Sequence, residues 1–176
     1  MIFNIRFEEW EECYFRKIDI DEVGEYMPPR WVFNFKKEFD EEYEIFSLET
    51  KRFPGMAQGI IALKSSQDDC CVYLKSVETA DFNKYYNIGK ISHGMNHDRV
   101  YEGVGYNLVA FACQYSIVQG FEGYMYLVSK TDTIPFYTGL GGDQLYEGSQ
   151  TIVFQELVGQ RLALKHFPGG EIQWLK

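Results

Sequence analysis

The chain has 176 residues and a formal net charge of −9, with 45% hydrophobic and 17% aromatic residues. This length and apolar content fit a single domain over residues 1–176 and exclude intrinsic disorder, because a chain of this size can bury roughly 70% of its unfolded surface. The longest apolar run, 108–113, is far shorter than the roughly 20 residues of a membrane span, so no membrane partner is expected.

The first third of the chain is acidic and mixed in pattern. Residues 1–50 hold 14 Asp and Glu against 6 Lys and Arg, whereas residues 51–176 are close to neutral. Alternation over Ile2–Phe7 predicts a strand, and the charged stretch Glu8–Lys17 is interpreted as a helix. Asp21–Tyr26 is predicted to be a short helix or turn. Two prolines at 28–29 then break any helix, and the type of the aromatic stretch 31–39 stays open.

Three consecutive strands follow in the middle of the chain. The stretches 43–50, 57–64 and 70–77 carry apolar and β-branched residues, and short polar turns separate them. Strands joined in this way predict an antiparallel meander. Residues 82–100 break the pattern and are predicted to be a long loop, which either closes over a ligand as a lid or does not.

The second half alternates helices and strands. Apolar residues at helical spacing predict a helix over 106–119, which Gly120 ends. A strand at 124–129, a short helix at 133–138, a strand at 150–154 and a helix at 156–166 complete the predicted elements. A mixed α/β fold is therefore expected.

The sequence Gly103-Val104-Gly105 lies directly before the predicted helix. Glycines at this place leave the first backbone N–H groups of a helix unblocked, and the helix dipole adds positive charge there, which suits a pyrophosphate. Arg99, Lys90 and Lys84 in the preceding loop are candidates for charge-assisted contacts. Leu108 replaces the third glycine of a dinucleotide fingerprint, and no Gly-Lys-Ser/Thr follows, so neither nucleotide motif is present.

The order of these elements resembles the GNAT superfamily of acetyl-CoA-dependent N-acetyltransferases over about 43–153. The resemblance rests on the sequences Gly59-Ile60-Ile61-Ala62, 72–78, 101–108 and 129–142. It departs from the family pattern in two places, since Val100 stands where the family has Gln or Arg, and Lys130 lies near the position of the family asparagine. The resemblance implies a mixed, mostly antiparallel central sheet flanked by helices.

The resemblance also implies roles for particular residues. The backbone of Ser76 and Val77 would pair with the pantetheine arm of acetyl-CoA, and Arg99 with Gly103, Val104, Gly105 and Tyr106 would hold the pyrophosphate. Glu78 is the best candidate for the general base, ahead of Asp81 and Glu49. Tyr137 matches the family tyrosine that protonates the leaving thiolate, because a phenol stays protonated at neutral pH.

The acidic first third favours a cationic acceptor, so a primary amine of a small molecule or peptide is the expected substrate. Nucleic acid is not expected, because phosphate binding requires a basic stripe. His93 and His97 are four residues apart but lie in a predicted loop, and no metal site is expected. A cytoplasmic protein is expected, and a homodimer is left open. The alternatives are a non-catalytic acyl-CoA-binding or regulatory module and a protein-interaction partner without cofactor.

Overall fold

The computed structural model describes residues 1–84 and 99–169, and within these ranges the strands form two sheets. The strands are β1 (Ile2–Asn4), β2 (Glu9–Glu11), β3 (Cys13–Ile18), β4 (Glu44–Thr50), β5 (Gly59–Ser66), β6 (Cys71–Thr79), β7 (Tyr101–Glu102), β8 (Met125–Val128), β9 (Asp143–Gln144) and β10 (Thr151–Phe154). The helices are α1 (Phe35–Asp40), α2 (Val104–Val118), α3 (Ile134–Gly139) and α4 (Glu156–His166), with 3₁₀ turns at Val23–Glu25, Asp81–Asn83 and Thr131–Thr133.

The larger sheet has seven strands in the order β3-β4-β5-β6-β8-β10-β9. Strands β6 and β8 run parallel, and the other neighbours are antiparallel. The predicted meander is confirmed as β4-β5-β6, and the prediction of a mixed, mostly antiparallel sheet flanked by helices is also confirmed. No helix in the described ranges is long and apolar enough to cross a membrane.

Each face of this sheet carries its own hydrophobic core. On one face, α2 is buried against the sheet, and the ring of Phe111 stacks on Phe15 with centroids 3.9 Å apart. On the other face, α1 and the residues before it cover the sheet through Trp31 and Phe35. The close approach of α2 requires Gly59, because a Cβ there would lie 2.7 Å from Leu108 Cδ1.

The interpretation of Glu8–Lys17 as a helix is wrong, because this stretch forms β2 and β3. Glu8 adopts a positive φ of 55°, which turns the chain so that β2 pairs with β1, while β3 pairs with β4. Strand pairing, local for β2 and long-range for β3, therefore outweighs the helix preference of the glutamates. The smaller sheet has the order β2-β1-β7, and its strand β7 was not predicted.

Candidate functional site

The strands β6 and β8 separate part-way along their length. Their parallel pairing covers Val72–Leu74 against Met125–Leu127, whereas β6 continues to Thr79 beside β5 alone in the described part of the chain. The register between β5 and β6 shifts at Ala62/Leu63, so Lys75 forms an irregularity where the separation begins. The edge of β6 from Lys75 onward is therefore open toward β8, and an extended ligand can pair with it as an added strand.

Helix α2 begins beside this opening. Gly103 is its N-cap with a left-handed φ of 86°, which glycine adopts without steric cost, and no side chain caps the helix. The first backbone N–H with an acceptor inside the helix is that of Asn107, which donates to the carbonyl of Gly103 at 3.0 Å. The N–H groups of the preceding residues therefore have no partner within the helix, which is the arrangement that binds a phosphate.

The smaller sheet fixes the chain just before this helix. Tyr101 in β7 donates its hydroxyl to Glu11 Oε2 at 2.8 Å, and Asn4 Nδ2 donates to Glu11 Oε1 at 2.7 Å. Asn107 Nδ2 also donates to the carbonyl of Met1 at 3.2 Å. This buried network joins the two N-terminal strands to the first turn of α2. The sequence alone carries no signal for it, since its members are separated by up to 106 positions.

Of the basic residues predicted to contact the pyrophosphate, Arg99 lies at the start of α2 and Lys84 is held by other partners. Arg99 forms an ion pair with Glu102 beside the helix N-terminus. Lys84 is drawn away from that role, because its ammonium contacts Glu78 at 2.8 Å and Asp81 at 2.5 Å. Burial lowers the pKa of Lys84, but the two carboxylates outweigh it, so the net shift is upward. Lys90, His93 and His97 lie outside the described residues, as does most of the predicted loop.

The pantetheine-strand candidates alternate between the two faces of β6. Val77 packs against the core that contains α2, whereas Ser76 and Glu78 face α1. The carboxylate of Glu78 accepts from the backbone N–H groups of Val32 and Phe33 at 2.9 and 3.1 Å and also receives Lys84. Glu78 thus holds the segment before α1 against the sheet, and both of its oxygens have partners.

Tyr137 reaches the same core as Val77 and Val104 from α3. Its side chain is 7% exposed, and burial raises the pKa of Tyr137 to about 12. Next to it, the ring of Phe136 lies 5.4 Å from that of Tyr106 in the first turn of α2. The structure therefore brings together the open edge of β6, the start of α2 and a protonated phenol.

The two weaker candidates for the base differ in exposure. Glu49 is 1% exposed and accepts from Tyr14, Arg16, Ser47 and the N–H of Gly55. Burial raises the pKa of Glu49, but these donors outweigh it and lower the pKa overall. Asp81 is exposed and paired with Lys84. Neither carboxylate is a free, poised base, and no group of three or more His, Cys, Asp and Glu in the described ranges has the arrangement of a metal site.

Sequence reasoning did not single out the residues on the α1 face next to the opening. A cavity of about 460 Å³ lies at the β5–β6 hairpin, where β6 and β8 are still paired, and Tyr43, Tyr73 and Tyr126 line it together with Lys64, Asp68 and Asp69. The rings of Tyr73 and Tyr126 stack at 4.8 Å, and the ammonium groups of Lys64 and Lys75 lie 5.4 and 5.9 Å from the ring centroid of Tyr43. Glu38 of α1 is buried nearby. Tyr73 lies on β6, Tyr126 on β8 and Tyr43 directly before β4, so only the sheet order reveals their proximity.

No protein-family profile and no curated protein matches this sequence. Solved structures do match it. AtaTR bound with AcCoA aligns at a TM-score of 0.58 and 14% identity, over 86% of this chain and 98% of its own. The chain has the GNAT fold. The fold implied by the sequence resemblance is thereby confirmed.

Two further GNAT-fold matches are complexes with nucleic acid. AtaT complexed with acetyl-methionyl-tRNAfMet has a TM-score of 0.56 and 13% identity, over 86% of this chain and 99% of its own. The KacTA–DNA complex has a TM-score of 0.55 and 14% identity, over 88% of this chain and 99% of its own. The expected partners, a small cationic amine or peptide amine with nucleic acid excluded, are therefore wrong for this chain.

The error came from treating net charge as a property of the binding face. Many of the acids in residues 1–50 are neutralised within the fold by ion pairs that the sequence does not reveal: Glu9–Arg52, Glu12–Lys51, Lys17–Glu44, Arg16–Glu49 and Lys36–Asp40. Lys64 is paired with Glu42, whereas Lys75 and Lys130 lie on the face that α1 covers, near the rings of Tyr43 and Phe33. Local charge at the opening thus differs from the average over the chain.

Proposed function

We propose that this chain is an N-acetyltransferase that moves an acetyl group from acetyl-CoA to a primary amine. The observation that carries the proposal is the separation of β6 from β8 directly beside the uncapped first turn of α2. One feature accepts an extended arm and the other accepts phosphates, as acetyl-CoA requires. The GNAT fold supports this reading, because AtaTR was solved with AcCoA.

In this proposal each element performs one step. The free N–H groups of Val104, Gly105 and Tyr106 hold the diphosphate, with Arg99 at the side. The open edge of β6 at Ser76 and Val77 positions the pantetheine arm and so directs the thioester toward Tyr137. The amine attacks the thioester carbonyl carbon, and the Tyr137 hydroxyl gives a proton or hydrogen bond to the sulfur as the C–S bond breaks. A backbone N–H near Val77 stabilises the negative charge that develops on the carbonyl oxygen.

For the acceptor, we propose an amino group carried by an aminoacyl-tRNA. AtaT was solved with acetyl-methionyl-tRNAfMet, the acetylated form of such an amine. Lys75 and Lys130 on the α1 face support the same class of acceptor, because ammonium groups attract phosphates.

Two measurements test this function. Isothermal titration with acetyl-CoA should show stoichiometric binding that weakens with rising salt. A filter assay with labelled acetyl-CoA and methionyl-tRNA should show acetylation by the wild type and none with deacylated tRNA as acceptor. Absence of acetyl-CoA binding at millimolar concentration contradicts the function as a whole, whereas binding without transfer contradicts the acceptor.

A second candidate is a GNAT-fold module that binds acyl-CoA without turnover. The engagement of Glu78 by two backbone N–H groups and Lys84 favours it, because a base needs a free lone pair facing the amine. This candidate predicts that the wild type binds acetyl-CoA and acetylates no aminoacyl-tRNA.

A further inference from the structure

We infer that Glu38, working through Ser76, is the group that takes the proton of the acceptor amine. The sequence analysis predicted no proton-transfer role for either side chain. The inference rests on the proposed acetyl transfer. It supplies the base that Glu78, Glu49 and Asp81 do not provide.

The geometry singles out Glu38 among the carboxylates at the opening. Glu38 is 7% exposed, and its Oε1 accepts a hydrogen bond from Ser76 Oγ across the gap between α1 and β6. Its Oε2 is buried and has no hydrogen-bond partner in the described part of the chain. A buried carboxylate oxygen without a partner is costly to the fold and therefore requires an explanation, of which a catalytic role is one.

Ser76 connects this carboxylate to the reacting centre. It belongs to the part of β6 that has left β8, next to Val77, and its side chain faces α1. The proposed pantetheine arm runs along this same edge, so the Ser76 hydroxyl lies between the edge and Glu38. Because α1 covers the pair and Ser76 is 4% exposed, the amine would reach the hydroxyl along the open edge of β6.

The groups around Glu38 shift its pKa in opposite directions. Burial raises its pKa, the Ser76 hydrogen bond lowers it, and the net shift is upward. Lys75 on β6 and Lys37 on α1 lower the pKa, while Glu41, directly after α1, raises it. Tyr73 on β6 faces the same carboxylate. A base whose pKa moves toward neutrality transfers protons most effectively near pH 7.

The proton inventory of the step balances. The acceptor ammonium gives one proton to Ser76 Oγ while the Ser76 hydroxyl proton passes to Glu38 Oε1, which leaves a free amine, an intact serine and a protonated carboxyl. The amine forms the new C–N bond, the C–S bond breaks, and a second amine proton reaches the CoA sulfur with the help of Tyr137. Glu38 then releases its proton to solvent.

The test uses the full chain with acetyl-CoA and methionyl-tRNA across a pH series. Glu38→Gln should lower kcat by about 100-fold or more and abolish the acidic limb of the kcat profile, with the acetyl-CoA Kd unchanged within twofold. Ser76→Ala keeps the backbone and should lower kcat by a similar factor. The kcat of the double variant should be no lower than that of the less active single variant, because the two residues act as a unit. Asp40→Asn, an exposed acid on the same helix, is the matched control and should keep wild-type kinetics.

A folding measurement separates this role from a structural one. Because the pKa of Glu38 is raised in the folded chain, the ionised carboxylate costs stability progressively as pH rises above the unfolded value of 4.5. Glu38→Gln should therefore unfold at the wild-type temperature or higher at pH 7. Lower stability or weaker acetyl-CoA binding in this variant overturns the inference, as does an unchanged acidic limb. A wild type that binds acetyl-CoA but acetylates no methionyl-tRNA contradicts the proposed acceptor and overturns the inference with it, whereas a wild type that binds no acetyl-CoA contradicts the proposed function itself.

Discussion

The ring of Phe136 in α3 lies against Gly105 in the first turn of α2, with Cζ 3.4 Å from the position that a Cβ at Gly105 would occupy. A methyl group therefore fits in the folded protein, and Gly105→Ala should leave the unfolding temperature unchanged or slightly higher, since alanine favours a helix. It should nevertheless raise the acetyl-CoA Kd at least tenfold, because the methyl group obstructs close approach of a diphosphate to the backbone.

Titration calorimetry and thermal unfolding on the same preparation check the Gly105 prediction. Gly139→Ala is the matched control, because a Cβ at Gly139 in α3 meets no atom within 4 Å. Equal acetyl-CoA affinity for Gly105→Ala and the wild type would place the diphosphate away from this turn.

Tyr137→Phe should lower kcat tenfold or more, about 1.4 kcal/mol of barrier, with little change in acetyl-CoA affinity. The phenol is protonated throughout the neutral range because burial raises its pKa to about 12, so it can donate to the departing sulfur. Steady-state kinetics with methionyl-tRNA measure the effect, and Tyr146→Phe, an exposed tyrosine, is the control. Unchanged turnover would remove Tyr137 from the mechanism.

Glu49→Gln should destabilise the fold by about 3 kcal/mol at pH 7, because it removes the buried negative charge that pairs with the partly buried Arg16. The folded-state pKa of Glu49 is lowered, so its contribution is complete above the unfolded value of 4.5 and is lost as pH falls through the folded value. Urea unfolding at several pH values should show the two proteins converging in acid. A pH-independent difference would contradict the linkage.

Gly59→Ala should cost about 1–3 kcal/mol and shift the start of α2, because the new Cβ would meet Val104 Cγ1 at 2.9 Å and Leu108 Cδ1 at 2.7 Å. Gly24→Ala adds the same methyl group where no atom lies within 4 Å and should be neutral. Denaturant unfolding of both variants makes the comparison. Equal stability would mean that α2 tolerates displacement from β5.

The spacing of apolar residues predicted those helices and strands that bury one face in a hydrophobic core. The meander β4-β5-β6, helix α2 and helix α4 lie where periodicity placed them, because apolar spacing and burial agree there. The interpretation of Glu8–Lys17 as a helix failed because strand pairing determines its conformation: Glu11 pairs with Ile2 in a hairpin, and Cys13 pairs with Thr50 far along the chain.

Only those parts of the candidate site that consecutive residues form could be predicted from the sequence. The two glycines at the start of α2 and the strand 76–78 could be found because each forms an unbroken motif. Glu38 could not, because its significance depends on Ser76, which is 38 positions away, and on an unpaired oxygen. The misjudged partners have the same origin, since ion pairs such as Glu12–Lys51 appear only when β2, β3 and β4 meet.

Because β1 lies between β2 and β7, it joins the N-terminal hairpin directly to the residues that lead into α2. Any ligand that tightens the first turn of α2 should also slow amide exchange in Ile2–Asn4, and a change that loosens those amides should weaken the ligand by the same free energy. Amide exchange in the N-terminal hairpin should therefore report whether a ligand is bound at the first turn of α2, without any measurement of the reaction.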